Sequence, residues 1–222
     1  GVAEAAFQHA LAYAQDRKQG KTPEIAHKDT IVGHADVRRM LTTMKAEIFA
    51  ARAIAASNAV AIDMATATGD KAWKARAALL TPISKAFGTD TGIAVADMGL
   101  QVHGGMGFIE ETGAAQFCRD VRITAIYEGT NGIQAMDLVA RKMMDGGEAA
   151  MALLDEMKTS KNSPRPDAVS YTTVMDAMGK DGNLTQALWL FEEMKKKEGM
   201  LLFQNFEKLE LETMYKNLPQ KL

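Results

Sequence analysis

A single carboxylate in the stretch AIYEGTNGIQ, residues 125–134, is the first candidate for chemistry in this chain of 222 residues. Glu128 stands between the aromatic residue Tyr127 and the small residues Gly129 and Thr130. A carboxylate held at a turn can accept a proton as a general base. On a helical protein an isolated glutamate is more often a solvated surface charge. The residue types alone leave both interpretations open.

A glycine-rich stretch, GGMGF at residues 104–108, is the second candidate. Because Gly104, Gly105 and Gly107 carry no Cβ, their backbone amides could approach an anionic group closely. The preceding residue, His103, fits a loop or cap position better than an acid–base role. The stretch therefore indicates a place where main chain meets a ligand.

The remaining histidines and the lone cysteine do not indicate a metal site. His9, His27 and His34 show no metal-ligand spacing, and neither His-Glu-x-x-His nor a cysteine pair is present. Cys118 cannot form an internal disulfide, which fits a reducing compartment, and it is expected to be a small buried apolar residue. We therefore expect no metal and a cytoplasmic location.

Composition and charge exclude several classes of partner. Apolar residues make up 47% of the chain, charged residues 24%, and the formal net charge is −2. This balance gives no reason to expect nucleic acid or an anionic membrane as partner. We find no apolar run near 18 residues and no signal-peptide pattern, so the chain is expected to be soluble. Its opening, GVAEAAFQHALAYA, is typical of the middle of a helix and suggests a preceding segment.

Periodic apolar residues predict an all-α fold. Stretches with helical spacing are residues 1–19, 36–68, 71–103, 115–126 and 129–144. A Gly-Asp pair at 69–70 separates the two longest helices, and Pro82 and Gly88 are expected to kink the second of them. Small residues on these helices allow close packing, which predicts an antiparallel bundle with short loops.

The composition changes after Met157. We expect a bundle over residues 1–157 and a linker over 158–166, since KTSKNSPRPDA combines lysines, serines and two prolines. A helical hairpin is predicted for 167–200. The tail, 201–222, has apolar residues at amphipathic spacing and would form a terminal helix whose role the sequence does not indicate.

Three motifs in the first part occur together in one enzyme family. They are AYAQDRKQGK at 12–21, LQVHGGMGF at 100–108 and CRDVRITAIYEGTNGIQ at 118–134. In this order and spacing they resemble the C-terminal helical domain of the flavin-dependent acyl-CoA dehydrogenases, over roughly residues 1–157. The extension DGGEAAMALLDEM resembles the larger bacterial members, which include acyl-CoA and methylthiopropanoyl-CoA dehydrogenases.

The resemblance implies an enzyme that uses FAD to oxidise acyl-CoA. Glu128 matches the base that removes the acyl α-proton while the β-hydrogen leaves as hydride to the flavin. The α-proton is acidified by the thioester carbonyl, and a closed apolar site strengthens the carboxylate as a base. Thr130, Asn131 and Gly132 match the segment that contacts the flavin dinucleotide.

The other two motifs imply cofactor contacts that cross a subunit boundary. Arg17 matches an arginine that reaches the cofactor's pyrophosphate, usually on a neighbouring subunit, although RKQGK lacks the aromatic residue that relatives carry before the glycine. Gln101, Gly104 and Gly105 match a loop that touches the cofactor across an interface. A homo-oligomer is therefore expected. The family's N-terminal helical domain and middle β-barrel, which hold most of the flavin and acyl-CoA, have no counterpart in these residues.

A second resemblance covers residues 166–200. PDAVSYTTVMDAMGKDGNLTQALWLFEEMKKKEGM resembles one pentatricopeptide repeat, a unit that reads one RNA base in long arrays. Thr172 matches the base-reading position, and the partner position falls near the apolar Leu202. A lone repeat cannot bury both of its faces.

Three functions thus compete at this point. The chain is the flavin-contacting domain of an acyl-CoA dehydrogenase, a non-catalytic helical scaffold of natural or engineered composite origin, or an RNA binder. Residues 158–222 carry ten Lys and Arg against nine Asp and Glu, a net charge of +1. This charge is too small for the phosphate contacts that dominate RNA affinity, so RNA is not expected as a partner.

Overall fold

The computed structural model describes residues 1–22, 29–142, 147–160, 166, 170–171, 174–175, 178 and 184–198. The chain divides into two compact units, Gly1–Lys142 and Met143–Leu222, and each is described by itself. All regular elements in the described ranges are helical, and one isolated bridge pairs Lys18 with Thr30. The all-α prediction is confirmed. The predicted linker and terminal helix, by contrast, fall largely or wholly outside the described residues.

Three long helices build the first unit: α1 (Val2–Asp16), α2 (Ala35–Thr68) and α3 (Lys71–His103). Helix α2 ends because Gly69 adopts a left-handed conformation at φ 70°. Helix α3 begins at once, with the Asp70 side chain accepting a hydrogen bond from the amide of Ala72 over 2.8 Å. So short a connection makes the two helices antiparallel neighbours, and Asn58 accordingly meets Thr81 across the pair.

Helix α3 runs unbroken through Pro82 and Gly88. The proline is buried inside the helix, and the structure keeps helical geometry on both sides of it. The two predicted kinks therefore do not divide α3. This continuity matters for the site, because α3 touches both regions that carry the candidate residues.

Small residues bring α1 and α5 (Ala114–Arg122) close to α3. A Cβ on Gly99 would lie 3.5 Å from the Ala6 carbonyl oxygen, and one on Gly92 would lie 2.8 Å from a Val121 methyl group. The largest buried cluster lies among α1, α2, α3 and the 3-10 turn Ile31–Gly33. It is formed by Phe7, Ala10, Ala14, Ile31, Val32, Met40, Leu41, Met44, Ile48, Val95 and Val102.

Short elements follow α3. They are α4 (Gly105–Phe108), a 3-10 turn Glu110–Thr112, α5, a 3-10 turn Ile123–Ala125, α6 (Asn131–Asp137) and a π-helical segment Leu138–Lys142. The predicted helix at 115–126 is thus α-helical only to Arg122, and the one at 129–144 starts two residues later. The residues around Glu128 thus lie between a 3-10 turn and helix α6.

Helix α2 corrects the expectation that no segment is apolar enough to span a membrane. Over Ala35–Thr68 it is long and apolar enough by length and composition, although one such helix is weak evidence because core helices pass the same test. Two of its large apolar side chains are uncovered: Phe49 is 74% exposed and Val60 53%. Ile62, which the helical spacing places with the buried stripe, is 46% exposed.

The second unit contains α7 (Glu148–Thr159) and α8 (Leu184–Glu198), with helical residues also at 170–171, 174–175 and 178. Its described core lies on apolar side chains at helical spacing. They are Ala150, Leu154, Tyr171, Val174, Met178, Ala187, Leu190 and Met194. Packing thus places α7 in the same unit as the hairpin region, whereas the change in composition suggested a boundary after Met157. The predicted domain boundaries stay predictions.

Candidate functional site

The turn that carries Glu128 has an unusual backbone. Glu128 adopts φ 53° and Gly129 φ 83°, so two consecutive residues lie in the left-handed region. A non-glycine residue with positive φ is uncommon and often marks a constrained turn. The Gln134 side-chain amide donates to the Glu128 carbonyl oxygen over 3.2 Å. The Glu128 side chain itself is exposed.

Helix α6 starts immediately after this turn. The Thr130 hydroxyl oxygen accepts a hydrogen bond from the amide of Ile133 over 3.3 Å and so caps the helix. The Asn131 side chain forms hydrogen bonds with Lys85, Thr89 and Asp90 of α3. Gly132 is exposed. The structure therefore keeps Thr130, Asn131 and Gly132 next to Glu128, and uses the Asn131 side chain to attach this region to α3.

Apolar side chains surround the turn at the surface. Ile126 is 54% exposed, Tyr127 49%, Ile133 55% and Met136 70%. Ile123, one turn earlier, is also exposed. So many uncovered apolar side chains around one carboxylate mark a surface suited to contact with another polypeptide or ligand.

The glycine loop lies at the C-terminal end of α3. Gly104 adopts φ 60° and ends the helix, with its amide donating to the Gln101 carbonyl over 3.0 Å. A Cβ on Gly104 or Gly105 would meet nothing within 4 Å, so both main-chain segments face open space. Gly107 is different, because a Cβ there would collide with the Leu100 carbonyl oxygen. Two glycines are therefore accessible to a ligand, and the third is required by packing.

Arg17 and Gln101 lie near the glycine loop. Tyr13 of α1 stacks on His103 of α3 with ring centroids 4.3 Å apart, which brings the C-terminal ends of the two helices together. Arg17 follows Tyr13 by one turn, and its carbonyl oxygen accepts from the amide of Ile31 over 2.9 Å. The side chains of Arg17 and Gln101 are exposed.

The structure does not bring all predicted residues into one pocket. Asp90 anchors the Glu128 turn, and His103 borders the glycine loop; both belong to the continuous helix α3. Their separation along the helix corresponds to a rise of roughly 20 Å. Glu128, Thr130, Asn131 and Gly132 thus form one group. The second group, farther along α3, consists of Arg17, Gln101, Gly104 and Gly105.

A buried aromatic stack beside the glycine loop is a feature that the sequence did not indicate. His103 is 4% exposed and stacks between Tyr13 and His9, with 4.8 Å between the two histidine ring centroids. Its Nδ1 lies 2.7 Å from the Gly99 carbonyl, so this nitrogen carries the proton in the neutral ring. Burial lowers the pKa of His103, and the neighbouring His9 lowers it further against the opposing Gly99 hydrogen bond. The one sequence signal for this stack was the spacing of His9 and Tyr13, which lie one helical turn apart and therefore on the same face of α1.

Cys118 and the histidines do not assemble a metal site in the part of the chain that the structure describes. No group of three or more His, Cys, Asp or Glu there could hold a metal ion, and His27 lies outside the described residues. Cys118 is half-buried, and burial raises the pKa of its thiol, with nearby Asp97 acting in the same direction. A thiol so shifted is a poor nucleophile near neutral pH.

The second unit has a polar cluster of its own, centred on Lys158 of α7. The ammonium nitrogen lies 2.8 Å from Glu193 and 3.2 Å from Asp155, and it lies 5.4 and 5.3 Å from the ring centroids of Tyr171 and Trp189. The Tyr171 hydroxyl donates to Glu193 over 3.3 Å. This arrangement attaches α7 to α8. The positions that match RNA-reading residues, Thr172 and Leu202, lie outside the described residues.

Comparison with known proteins gives two family matches. Residues 1–144 match the acyl-CoA dehydrogenase C-terminal domain, and residues 166–199 match the PPR repeat family. The first match covers the described helices α1 to α6, and the second begins beyond α7.

Individual relatives agree with the first match. A 3-methylmercaptopropionyl-CoA dehydrogenase of Ruegeria pomeroyi is 47% identical over 155 residues, which is 67% of this chain and 26% of that protein. A butyryl-CoA dehydrogenase of Syntrophomonas wolfei is 37% identical over 164 residues, 71% of this chain and 27% of that protein. The chain thus spans about a quarter of the length of these curated relatives.

A solved structure supports the same assignment. Butyryl-CoA dehydrogenase from Megasphaera elsdenii superposes with a TM-score of 0.51 at 30% identity, over 62% of this chain and 32% of that chain. Its fold agrees with the helical bundle, and the family match spans more than half of the 222 residues. The chain therefore belongs to the acyl-CoA dehydrogenase family, and its residues 1–144 correspond to that family's C-terminal domain.

Proposed function

We propose that residues 1–142 act as the flavin-contacting C-terminal domain of an acyl-CoA dehydrogenase, with Glu128 as the base that removes the acyl α-proton. The observation that carries this proposal is the constrained turn: an exposed carboxylate on a left-handed backbone, ringed by exposed apolar side chains. A strained backbone and an uncovered apolar border distinguish Glu128 from an ordinary surface glutamate and favour a functional role for it.

The apolar border explains how the carboxylate would become effective. When another domain covers Ile126, Tyr127, Ile133 and Met136, water leaves the surroundings of Glu128. Excluding water from a carboxylate makes it a stronger base, which abstraction of a proton from carbon requires. In the full enzyme the covering polypeptide would be the part of the relatives' length that this chain does not span. Exposed apolar surface on α2 favours self-association in addition.

The residues at the end of α3 fit an anionic dinucleotide. Open space beside Gly104 and Gly105 would let their main chain approach a pyrophosphate, and the exposed Arg17 would supply a positive charge. At the other site, the Thr130 hydroxyl accepts from Ile133 and retains its own proton for a ligand. FAD, when bound, supplies the hydride acceptor of the reaction. Acyl-CoA thioesters, 3-methylmercaptopropionyl-CoA among them, are the substrate class that the relatives favour.

A non-catalytic scaffold is the alternative, and one observation favours it. In this chain the Glu128 carboxylate is exposed, and proton abstraction requires close, fixed contact with the substrate. The two functions predict different results when the N-terminal part of a relative is added.

Complementation would separate them. The full chain is mixed with the N-terminal three quarters of the Ruegeria pomeroyi relative and FAD, and flavin bleaching by acyl-CoA is followed. We expect bleaching with the native chain, and a loss of at least about 1,000-fold with Glu128→Gln, because the base is removed. Glu111→Gln, which changes another exposed glutamate of the same unit, is the matched control and should bleach normally. A mixture whose flavin is not bleached by acyl-CoA would support the scaffold, and full activity in Glu128→Gln would refute the base assignment.

A further inference from the structure

We infer that Lys85 and Asn131 are positioning residues for Glu128, which hold the carboxylate-bearing turn at a fixed place on helix α3. This inference rests on the proposed function for its catalytic meaning. The contacts that carry it are independent of any cofactor.

The Asn131 amide makes hydrogen bonds on both sides. Its Oδ1 accepts from Lys85 Nζ over 2.8 Å and from the Thr89 hydroxyl over 3.1 Å. Its Nδ2 donates to Asp90 Oδ1 over 2.7 Å and lies 3.5 Å from the Ala86 carbonyl. One side chain of α6 is thus bonded to a short segment of α3 that runs from Lys85 to Asp90.

The charges of the partners fix the orientation of this amide. A lysine ammonium can only donate hydrogen bonds, and a carboxylate can only accept them. Rotating the Asn131 amide by half a turn would set its NH2 group against Lys85 and its oxygen against Asp90, which is unfavourable on both sides. Lys85, Asn131 and Asp90 therefore select a single geometry. Bonds to charged partners are also stronger than bonds between neutral groups.

This geometry is transmitted to Glu128 through a very short path. Asn131 is the first residue of α6 and lies three residues after Glu128. Between them, the Thr130 cap and the bond from Gln134 to the Glu128 carbonyl close the turn. Positive φ is unfavourable for a residue with a Cβ such as Glu128, so contacts around the turn are needed to hold it. The anchor to α3 supplies a contact from outside the turn itself.

Fixed placement has a direct consequence for the reaction. A base must hold its oxygen within a fraction of an ångström of the productive position, and small displacements reduce the rate strongly. Lys85 and Asn131 do not touch the reacting atoms in this arrangement. Their effect is exerted through the direction in which the Glu128 backbone presents its side chain.

The test uses the full chain, three test variants and one control variant. Asn131→Leu removes both sets of bonds at similar volume, Lys85→Met removes the ammonium, and Lys85→Arg restores a cationic donor. Lys74→Met is the matched control, since Lys74 is an exposed lysine of the same helix. Two signals are recorded by NMR without flavin: the Cα and Cβ shifts of Glu128, which report its φ, and amide exchange at Ile133 and Gln134.

We expect Asn131→Leu and Lys85→Met to shift the Glu128 signals away from left-handed values and to speed exchange at the two amides about tenfold. Lys85→Arg should restore both signals, and Lys74→Met should leave them unchanged. The melting temperature should stay within a few degrees in every variant. In the complemented enzyme, assayed at saturating FAD because Asn131 lies in the segment that matches the flavin contacts, the disrupting variants should lower kcat by at least about tenfold with little change in the KM for acyl-CoA.

Specific outcomes contradict the inference. Unchanged Glu128 shifts in Asn131→Leu would show that the turn does not depend on the anchor. A loosened turn with native kcat would show that the anchor has no positioning role. If the native complemented mixture is inactive, the proposed function fails instead, and the NMR signals still decide whether Lys85 and Asn131 hold the turn.

Discussion

The side-chain nitrogen Nε2 of Gln134 donates to the Glu128 carbonyl oxygen, and a Cβ on the intervening Gly129 would lie 3.0 Å from that same nitrogen. Gly129 also has φ 83°. Gly129→Ala should therefore lower the free energy of unfolding of the first unit by about 1–2 kcal/mol, since an L-residue is strained there. Urea unfolding measures the change.

A second glycine gives the matched control for this variant. Gly88 lies inside α3, and a methyl group added there would have nothing within 4 Å, so alanine should raise the stability by up to about 1 kcal/mol. Opposite signs are expected for the two substitutions. A loss of similar size in both would mean that the Gly129 backbone is not the cause.

Gly105 and Gly107 should respond differently to alanine, although they lie close together in the chain. Gly107→Ala places a methyl group against the Leu100 carbonyl and should cost about 1–3 kcal/mol in thermal unfolding. Gly105→Ala has open space and should change stability by less than about 0.5 kcal/mol. It should nevertheless weaken FAD binding several-fold in the complemented protein, as followed by flavin fluorescence. Undiminished binding would remove Gly105 from the cofactor contacts.

His103 should make the first unit sensitive to acid. Burial, with a contribution from His9, lowers the pKa of His103 in the folded state, so its stabilising effect is complete above the unfolded value near 6.5. Below that pH the unfolded chain binds the proton first, and stability falls as the pH drops through the folded pKa. Urea midpoints measured from neutral pH down to about pH 5 should decrease.

A substitution identifies the group responsible. His103→Phe keeps a ring for stacking on Tyr13 and His9 but cannot titrate. We expect its urea midpoint to vary less with pH than that of the native chain. An identical pH dependence in both proteins would assign the acid sensitivity to another group.

Lys158→Met should destabilise the second unit. The Lys158 side chain is 11% exposed, and the substitution takes its ammonium away from the partly buried Glu193 carboxylate, at a cost of about 1–3 kcal/mol. Trp189 fluorescence reports unfolding of this unit in a Trp73→Phe background, because the chain has two tryptophans. Asp155→Asn, which changes the more exposed partner, should cost less than about 0.5 kcal/mol. Equal effects would contradict the role of Glu193.

The same lysine predicts behaviour at high pH. Burial opposes its charge, but hydrogen bonds to Glu193 and Asp155 outweigh this and raise the pKa of Lys158. Its contribution is complete below the unfolded value near 10.4 and is lost only as the pH rises through the folded pKa. Unfolding of the second unit should therefore show no loss attributable to Lys158 between about pH 7 and 9, measured as the difference from Lys158→Met.

The sequence predicted the long helices well because their signals are local. Apolar residues at helical spacing and the Gly69–Asp70 pair placed α2 and α3 within a residue of their observed bounds. Pro82 and Gly88 lie inside α3 without interrupting it, despite their low helix propensity. Helix propensities describe each residue by itself, so they do not show where the tertiary structure keeps a helix continuous.

The candidate site was predictable as residues but not as an arrangement. The motif around Glu128 identified the turn, whereas the left-handed backbone and the bonds from Asn131 to Lys85 and Asp90 depend on segments that are far apart in the chain. The stack of His9, Tyr13 and His103 likewise depends on how α1 lies against α3. The spacing of His9 and Tyr13 shows that they share a helix face, but it does not show which residue of α3 packs against that face.

Because α3 is continuous between Asp90 and His103, its length is a constraint on insertions and deletions. One added residue would turn the glycine loop about 100° around the helix axis relative to Glu128 and move it about 1.5 Å along it. Two full turns, about seven residues, would restore the face but shift the loop by about 10 Å. A shortened or lengthened α3 would therefore change the position of the glycine loop relative to Glu128 even with every site residue present.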